Sequence, residues 1–161
     1  MAAHLMLDTK GIQVSVRAAT AAGVACGLAQ LLHLEHPIYA FIAAVIGTDL
    51  SPAQSRELGL RRLGATVVGA SWGALLSHFL QPSAWALTIG VVVAMLTCHV
   101  MPLKEGAKVA GYTCGIVLLD HGAEAWGYAF FRLVETALGV GVAVLVSMVP
   151  KLLHGGEREH G

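Results

Sequence analysis

The chain has 161 residues, of which 56% are hydrophobic and 12% charged, with a formal net charge of zero and a mean hydropathy of +0.70. Soluble domains carry roughly 25% charged residues, so this is a membrane composition, and the balanced charge makes no case for nucleic-acid binding. The three cysteines, Cys26, Cys98 and Cys114, are odd in number, far apart and set in apolar runs. They read as small packing residues, not as a disulfide framework or a zinc knuckle.

Apolar runs between breakers predict six spans. The first, about 11–32, follows acidic Asp8, holds Arg17 inside its apolar stretch and is too long for a signal peptide, so it reads as a retained spanning helix. "HLEHP" leads into a second span, 37–49, and "DLSPAQS" into a third, 57–80. "QPS", "PLKEG" and "DHGAEAWG" then introduce spans at 84–101, 107–119 and 125–149. Connections this short force neighbouring helices to run antiparallel. The whole chain reads as one transmembrane domain, residues 1–161, with a short polar cytoplasmic tail at 151–161 and no soluble domain.

Orientation follows from the basic residues. With the N-terminus inside, the cytoplasmic ends hold Lys10, Arg17, Arg56, Arg61, Arg62, Lys104, Lys108, Lys151 and Arg158, and the outer ends hold only Arg132. This predicts an N-in/C-in protein, with Tyr39, Phe79, Trp85 and Trp126 near the outer interface as an aromatic belt. The second and fifth spans are about 13 residues each, or ~20 Å of helix against ~30 Å of hydrocarbon. Paired short spans point to a midplane binding site in transporters; alternatively they extend into the loops or thin the bilayer.

An internal repeat relates the two halves of the chain. "RLGATVVGASWGALLS" from Arg62 aligns without a gap on "RLVETALGVGVAVLVS" from Arg132, matching Arg62/Arg132, Thr66/Thr136 and Gly69/Gly139 at an offset of 70 residues. Asp49 and Asp120 close the preceding short spans at an offset one residue longer. Three spans per half is odd, so the halves, about 11–80 and 84–150, are inverted about an axis in the membrane plane. The predicted fold is therefore an all-α integral membrane protein of six transmembrane helices in two inverted three-helix repeats.

Arg62, Thr66, Gly69 and Gly73 share one helix face, as do Arg132, Thr136, Gly139 and Ala143. The arginines therefore lie on the small-residue face that admits another helix backbone, facing the bundle interior or a cavity. Arg61 reads as a topology determinant that snorkels, and Arg17 is ambiguous. Arg132 is on the wrong side for a topology signal. It either serves function or pairs with Glu135 three residues on, an acid that the first half replaces with Ala65.

"RELGLRRLGATVVGASWGALL", following "DLSP", and "FRLVETALGVGVAVLV" resemble the membrane domain of the fusaric acid resistance family, which includes the aromatic acid exporters. The resemblance runs from about residue 14 to 153 and rests on an Arg–(Leu/Ile)–(Gly)–x–Thr–x–x–Gly segment. It implies a six-helix unit that pairs with a second, and export of organic anions such as hydroxylated aromatic carboxylates at the expense of the proton gradient. Its motif falls on Arg62, Gly64, Thr66 and Gly69, then on Arg132, Thr136 and Gly139. The chain departs from larger members in lacking a second unit and a soluble domain, so a path through it would require oligomerisation.

"HLEH" and "CHVM" hold metal-ligand types, but neither repeats nor has a further partner. No GxSxG, HExxH or Walker A pattern occurs, so neither an enzyme, a cofactor nor a metal is expected. The expectation is an organic-anion permease subunit of the bacterial inner membrane, multi-pass in the lipid bilayer and working as a homodimer or higher oligomer. Arg62 and Arg132 would compensate a carboxylate, Thr66 and Thr136 would offer hydroxyls, and Gly64, Gly69, Gly73 and Gly139 would permit close packing. Asp49, Asp120 and Glu135 are candidates for proton coupling or for pairing with the arginines. The rival expectations are a passive anion channel and a non-transporting membrane partner subunit.

Overall fold

A computed structural model describes residues 9–120 and 124–149. Six α-helices make up this part: α1 (Thr9–Leu31), α2 (Pro37–Gly47), α3 (Pro52–Phe79), α4 (Ala84–Val100), α5 (Ala107–Asp120) and α6 (Ala125–Met148), with a 3-10 turn at Lys104–Gly106 before α5. Five follow the apolar runs to within two residues. α3 starts five residues earlier than expected, because Pro52 suits the first turn of a helix and "PAQSR" is helical without being apolar. Residues 1–8, 121–123 and 150–161, with Lys151, Arg158 and the expected cytoplasmic tail, lie outside the described residues.

α1 ends where His33 takes a left-handed conformation, φ 53°. The Leu34 N–H then reaches back to the Ala29 carbonyl at 3.0 Å, a Schellman closure that turns the chain into α2. Pro37 opens α2 and Pro52 opens α3. Ser83 caps α4 by accepting the Ala86 N–H at 3.2 Å.

The interior is built mainly from alanine, with Cys98, Cys114, Val117 and Leu118 also wholly buried. The exterior carries the large apolar side chains, including Trp85, Ile89, Val92, Leu96 and Val100 on α4 and Phe130 and Leu145 on α6. A soluble protein of this size does not leave so much apolar surface open. Small residues inside and large apolar residues outside is the arrangement of helices packed in lipid. By length and composition, α1 from Lys10 and α6 are each sufficient to cross a bilayer, while α2 and α4 are apolar and shorter.

Backbone approach decides which helices pair. A Cβ on Gly69 would land on the Ala110 carbonyl of α5, and one on Gly139 on the Ala40 carbonyl of α2. Gly73 meets the Val117 side chain and the Cys114 carbonyl, Gly64 meets Leu103, and Gly111 and Gly115 meet Met95 and Leu87 of α4. Gly23 and Gly27 have nothing within 4 Å, so the GxxxG spacing of α1 is not a packing seam between helices within this chain. At one end of the bundle, Arg17 of α1 donates to the Leu50 carbonyl at 3.1 Å and the Val149 carbonyl at 2.8 Å. It thereby satisfies carbonyls at the ends of α2 and α6 that no helix bond reaches. This resolves the ambiguity of Arg17: it is a buried tie between three helices. Ser55 and Ser147 meet at 2.7 Å beside it, and Ser147 also donates to the Asp49 carbonyl at 3.0 Å.

Candidate functional site

Arg62 and Arg132 start from opposite ends of the bundle, on the third helix and the sixth, and both are buried, 6% and 4% exposed. They converge on Tyr112 of α5. Arg62 Nη2 donates to the Tyr112 hydroxyl at 2.9 Å, and the Arg132 guanidinium lies 5.7 Å from the Tyr112 ring centroid. Arg132 also stacks on Tyr39 of α2, with Cζ 3.1 Å from that ring's centroid. A guanidinium over an aromatic face is attracted by the ring quadrupole, the more so when desolvated. Tyr39 in turn accepts the Tyr128 hydroxyl at 2.7 Å, so all three tyrosines of the chain surround the two arginines.

The cluster leaves donors open. Arg62 Nε and Arg132 Nη1 are buried and have no protein acceptor. Two guanidiniums sharing one tyrosine, with no carboxylate within ion-pair distance among the described residues, make a concentrated positive site in a low dielectric. Its chemistry suits a planar anion, which a guanidinium fork matches bidentately. Tyr112 is 40% exposed and opens onto a groove of about 520 Å³ between α4 and α5 lined by Leu87, Val91, Met95 and Ile116, with Lys108 one turn from Tyr112.

Several expected partnerships do not form. Arg132 and Glu135 are not an ion pair: the guanidinium extends across to Tyr39, while a Glu135 oxygen accepts the backbone N–H of His36 at 2.7 Å. Asp49 does not pair with Arg62, because it sits past the end of α2, where its carboxylate accepts the Leu50 N–H at 2.6 Å. The side chain of Asp120, the last residue of α5, lies outside the described part. Thr66 and Thr136 donate to the carbonyls of Arg62 and Arg132 at 2.9 and 2.8 Å, so their hydrogens serve the backbone and only lone pairs remain. Tyr39 is turned inward from the expected aromatic belt, whereas Phe79, Trp85 and Trp126 are exposed. Arg61, as expected of a surface residue, binds Glu57 at 2.6 Å and Glu105.

Tyr39 and His36 were read for other roles, in the aromatic belt and in "HLEH", and Tyr112 and Tyr128 were missed because each is the lone tyrosine of its helix. Only the crossing of α2, α5 and α6 brings them together. Tyr112 carried one usable signal, an aromatic hydroxyl between Gly111 and Gly115 in a buried helix.

A unit that is helical throughout its described residues, with an alanine core and a large-residue apolar exterior, has the make-up of a membrane protein. More particularly, the chain belongs to the aromatic acid exporter family: the model described as "Aromatic acid exporter family member 1" matches residues 10–149. It is similar to a UPF0421 protein of Staphylococcus haemolyticus, 31% identical over 114 residues, and to one of Oceanobacillus iheyensis, 28% identical over 112. Each match covers 70% of this chain and 35% or 32% of the relative, so the chain spans about a third of the length of these relatives. No solved structure matches it.

Proposed function

We propose that this chain is the membrane unit of an organic-anion exporter, passing aromatic carboxylates outward across a bacterial inner membrane as a homodimer or higher oligomer. The convergence of Arg62 and Arg132 on Tyr112, each with an open buried donor, is the observation that carries the reading. A carboxylate entering this cluster would exchange its hydration for two guanidiniums and a phenol.

Six spans in two inverted three-helix repeats, N-in and C-in, complete the proposal. Its support is a set of packing pairs that recur at an offset of 70. Gly69 on Ala110 answers Gly139 on Ala40, and Gly73 on Val117 answers Ala143 against Gly47. Ala65 faces the Gly106 position as Glu135 faces the His36 N–H. Burial classes over 62–71 and 132–141 agree residue for residue. The axis that relates these pairs relates Arg62 to Arg132, which is how two halves deliver one arginine each to one site.

The test is efflux of benzoate from proteoliposomes. Arg62→Ala and Arg132→Ala are each expected to lower the rate at least tenfold while the purified protein keeps its helicity and elution volume, and Arg132→Lys is expected to recover only part of it. Unchanged flux in both alanine variants refutes the site. Flux proportional to driving force without proton dependence favours a passive channel, and no flux from the wild type alone favours a partner-subunit role.

A further inference from the structure

The anion site leaves unused the one buried carboxyl among the described residues. Glu135 is fully buried on α6. One of its oxygens accepts the His36 N–H at 2.7 Å, and the other has no protein partner. No Arg or Lys among the described residues stands within ion-pair distance, although Arg132 is one turn away on the same helix face.

The other groups around it are readily named. α6 contributes Arg132 and Tyr128, and the turn between α1 and α2 contributes Glu35 and His36. α2 contributes Tyr39, whose ring is occupied by Arg132, and His36 packs edge-on against Tyr128 at 5.2 Å. Arg62 of α3 and Tyr112 of α5 lie beyond Arg132. α1 brings only Cys26 to this half of the bundle, since Arg17 is tied down at the other end.

A lone carboxylate in such a place is costly, and a single backbone N–H does not offset the lost hydration. With a proton, the carboxyl is neutral and exerts no pull on the guanidinium, which rests over Tyr39 with Nη1 open. Without it, the nearest opposite charge is Arg132, within the reach of an i, i+3 pair. The first half has Ala65 at the matching position, so this competitor acts on one arginine only.

We propose that Glu135 is a proton-binding switch on the anion site: protonated, it leaves Arg132 open to the anion, and ionised, it takes the guanidinium for itself. This deepens the anion-site reading and rests on it. By linkage, proton and anion strengthen each other's binding, so anion affinity falls as pH rises through the titration of Glu135.

Calorimetric binding of benzoate to the full chain in detergent, from about pH 5 to about pH 8, is the experiment. Affinity is expected to fall about tenfold or more across this range. Glu135→Gln should hold the low-pH affinity throughout, and Glu135→Asp should restore the dependence. His36→Gln keeps the backbone N–H and should leave the dependence in place. A wild-type affinity that ignores pH overturns the proposal, as does a dependence that survives Glu135→Gln or vanishes in His36→Gln. Should benzoate fail to bind at any pH, the anion-site reading falls and infrared difference spectra decide the switch alone. A protonated-carboxyl band lost on raising pH and missing in Glu135→Gln supports it; no such band in the wild type overturns it.

Discussion

Gly139→Ala adds one carbon and two hydrogens to the chain, at the point where α6 crosses α2. The new Cβ would land on the Ala40 carbonyl oxygen and lie 2.7 Å from the Ala43 Cβ. Neither obstacle is the movable end of a long side chain. Relaxing the second contact to an ordinary 3.4 Å requires the helices to part by about 0.7 Å, and a gap of that order forfeits roughly a quarter to a half of the dispersion well for each atom pair it opens. Overpacking of this kind costs about 1–3 kcal/mol, against which alanine recovers about 1 kcal/mol of helix propensity. Because the clash is with backbone, the upper part of the range applies, and the net expectation is a loss of about 1–2 kcal/mol. Gly23→Ala supplies the control, since nothing lies within 4 Å of its Cβ and the propensity gain of up to about 1 kcal/mol stands alone. The same substitution should therefore carry opposite signs on α6 and α1. Reversible unfolding in mixed micelles of increasing SDS fraction, followed by helical circular dichroism, measures both. A Gly139→Ala protein as stable as the wild type, or two variants shifted in the same direction, would show that α6 does not approach α2 by backbone contact.

Two further outcomes follow from the buried hydrogen bonds. Tyr112→Phe removes the acceptor of Arg62, so the unliganded protein should lose about 1.5–3 kcal/mol in the same unfolding assay, part of which saturating benzoate restores. Arg17→Ala frees the Leu50 and Val149 carbonyls and should cost about 2–3 kcal/mol without changing benzoate affinity; Arg17→Lys, with one ammonium in place of a fork, should recover only part.

Helix positions were largely legible in the sequence because apolar runs, Pro and the polar breakers act locally. The early start of α3 escaped because hydropathy reports where lipid begins, not where hydrogen bonding does, and "PAQSR" satisfies the second without the first. The small-residue face was legible too: the helical spacing of Arg62, Thr66, Gly69 and Gly73 put all four on one side, and all four are buried. What that face meets was not. Charge arithmetic offered Arg132 its neighbour Glu135 as one of two alternatives, whereas the folded chain offers the guanidinium an aromatic ring from another helix and the carboxyl a backbone N–H from a turn.

By itself the sequence determined a helical membrane unit, six segments, their order and the inward face of Arg62 and Arg132, since all of these depend on composition, periodicity and neighbours within a few residues. Only the tertiary structure decided that α3 lies on α5 and α6 on α2, that Tyr39 and Tyr112 rather than acids receive the arginines, and that Glu135 is left with a vacant oxygen. Those outcomes depend on residues 41 to 99 positions apart. Their contact is set by where glycine lets two backbones touch, a property of helix pairs that no single segment carries.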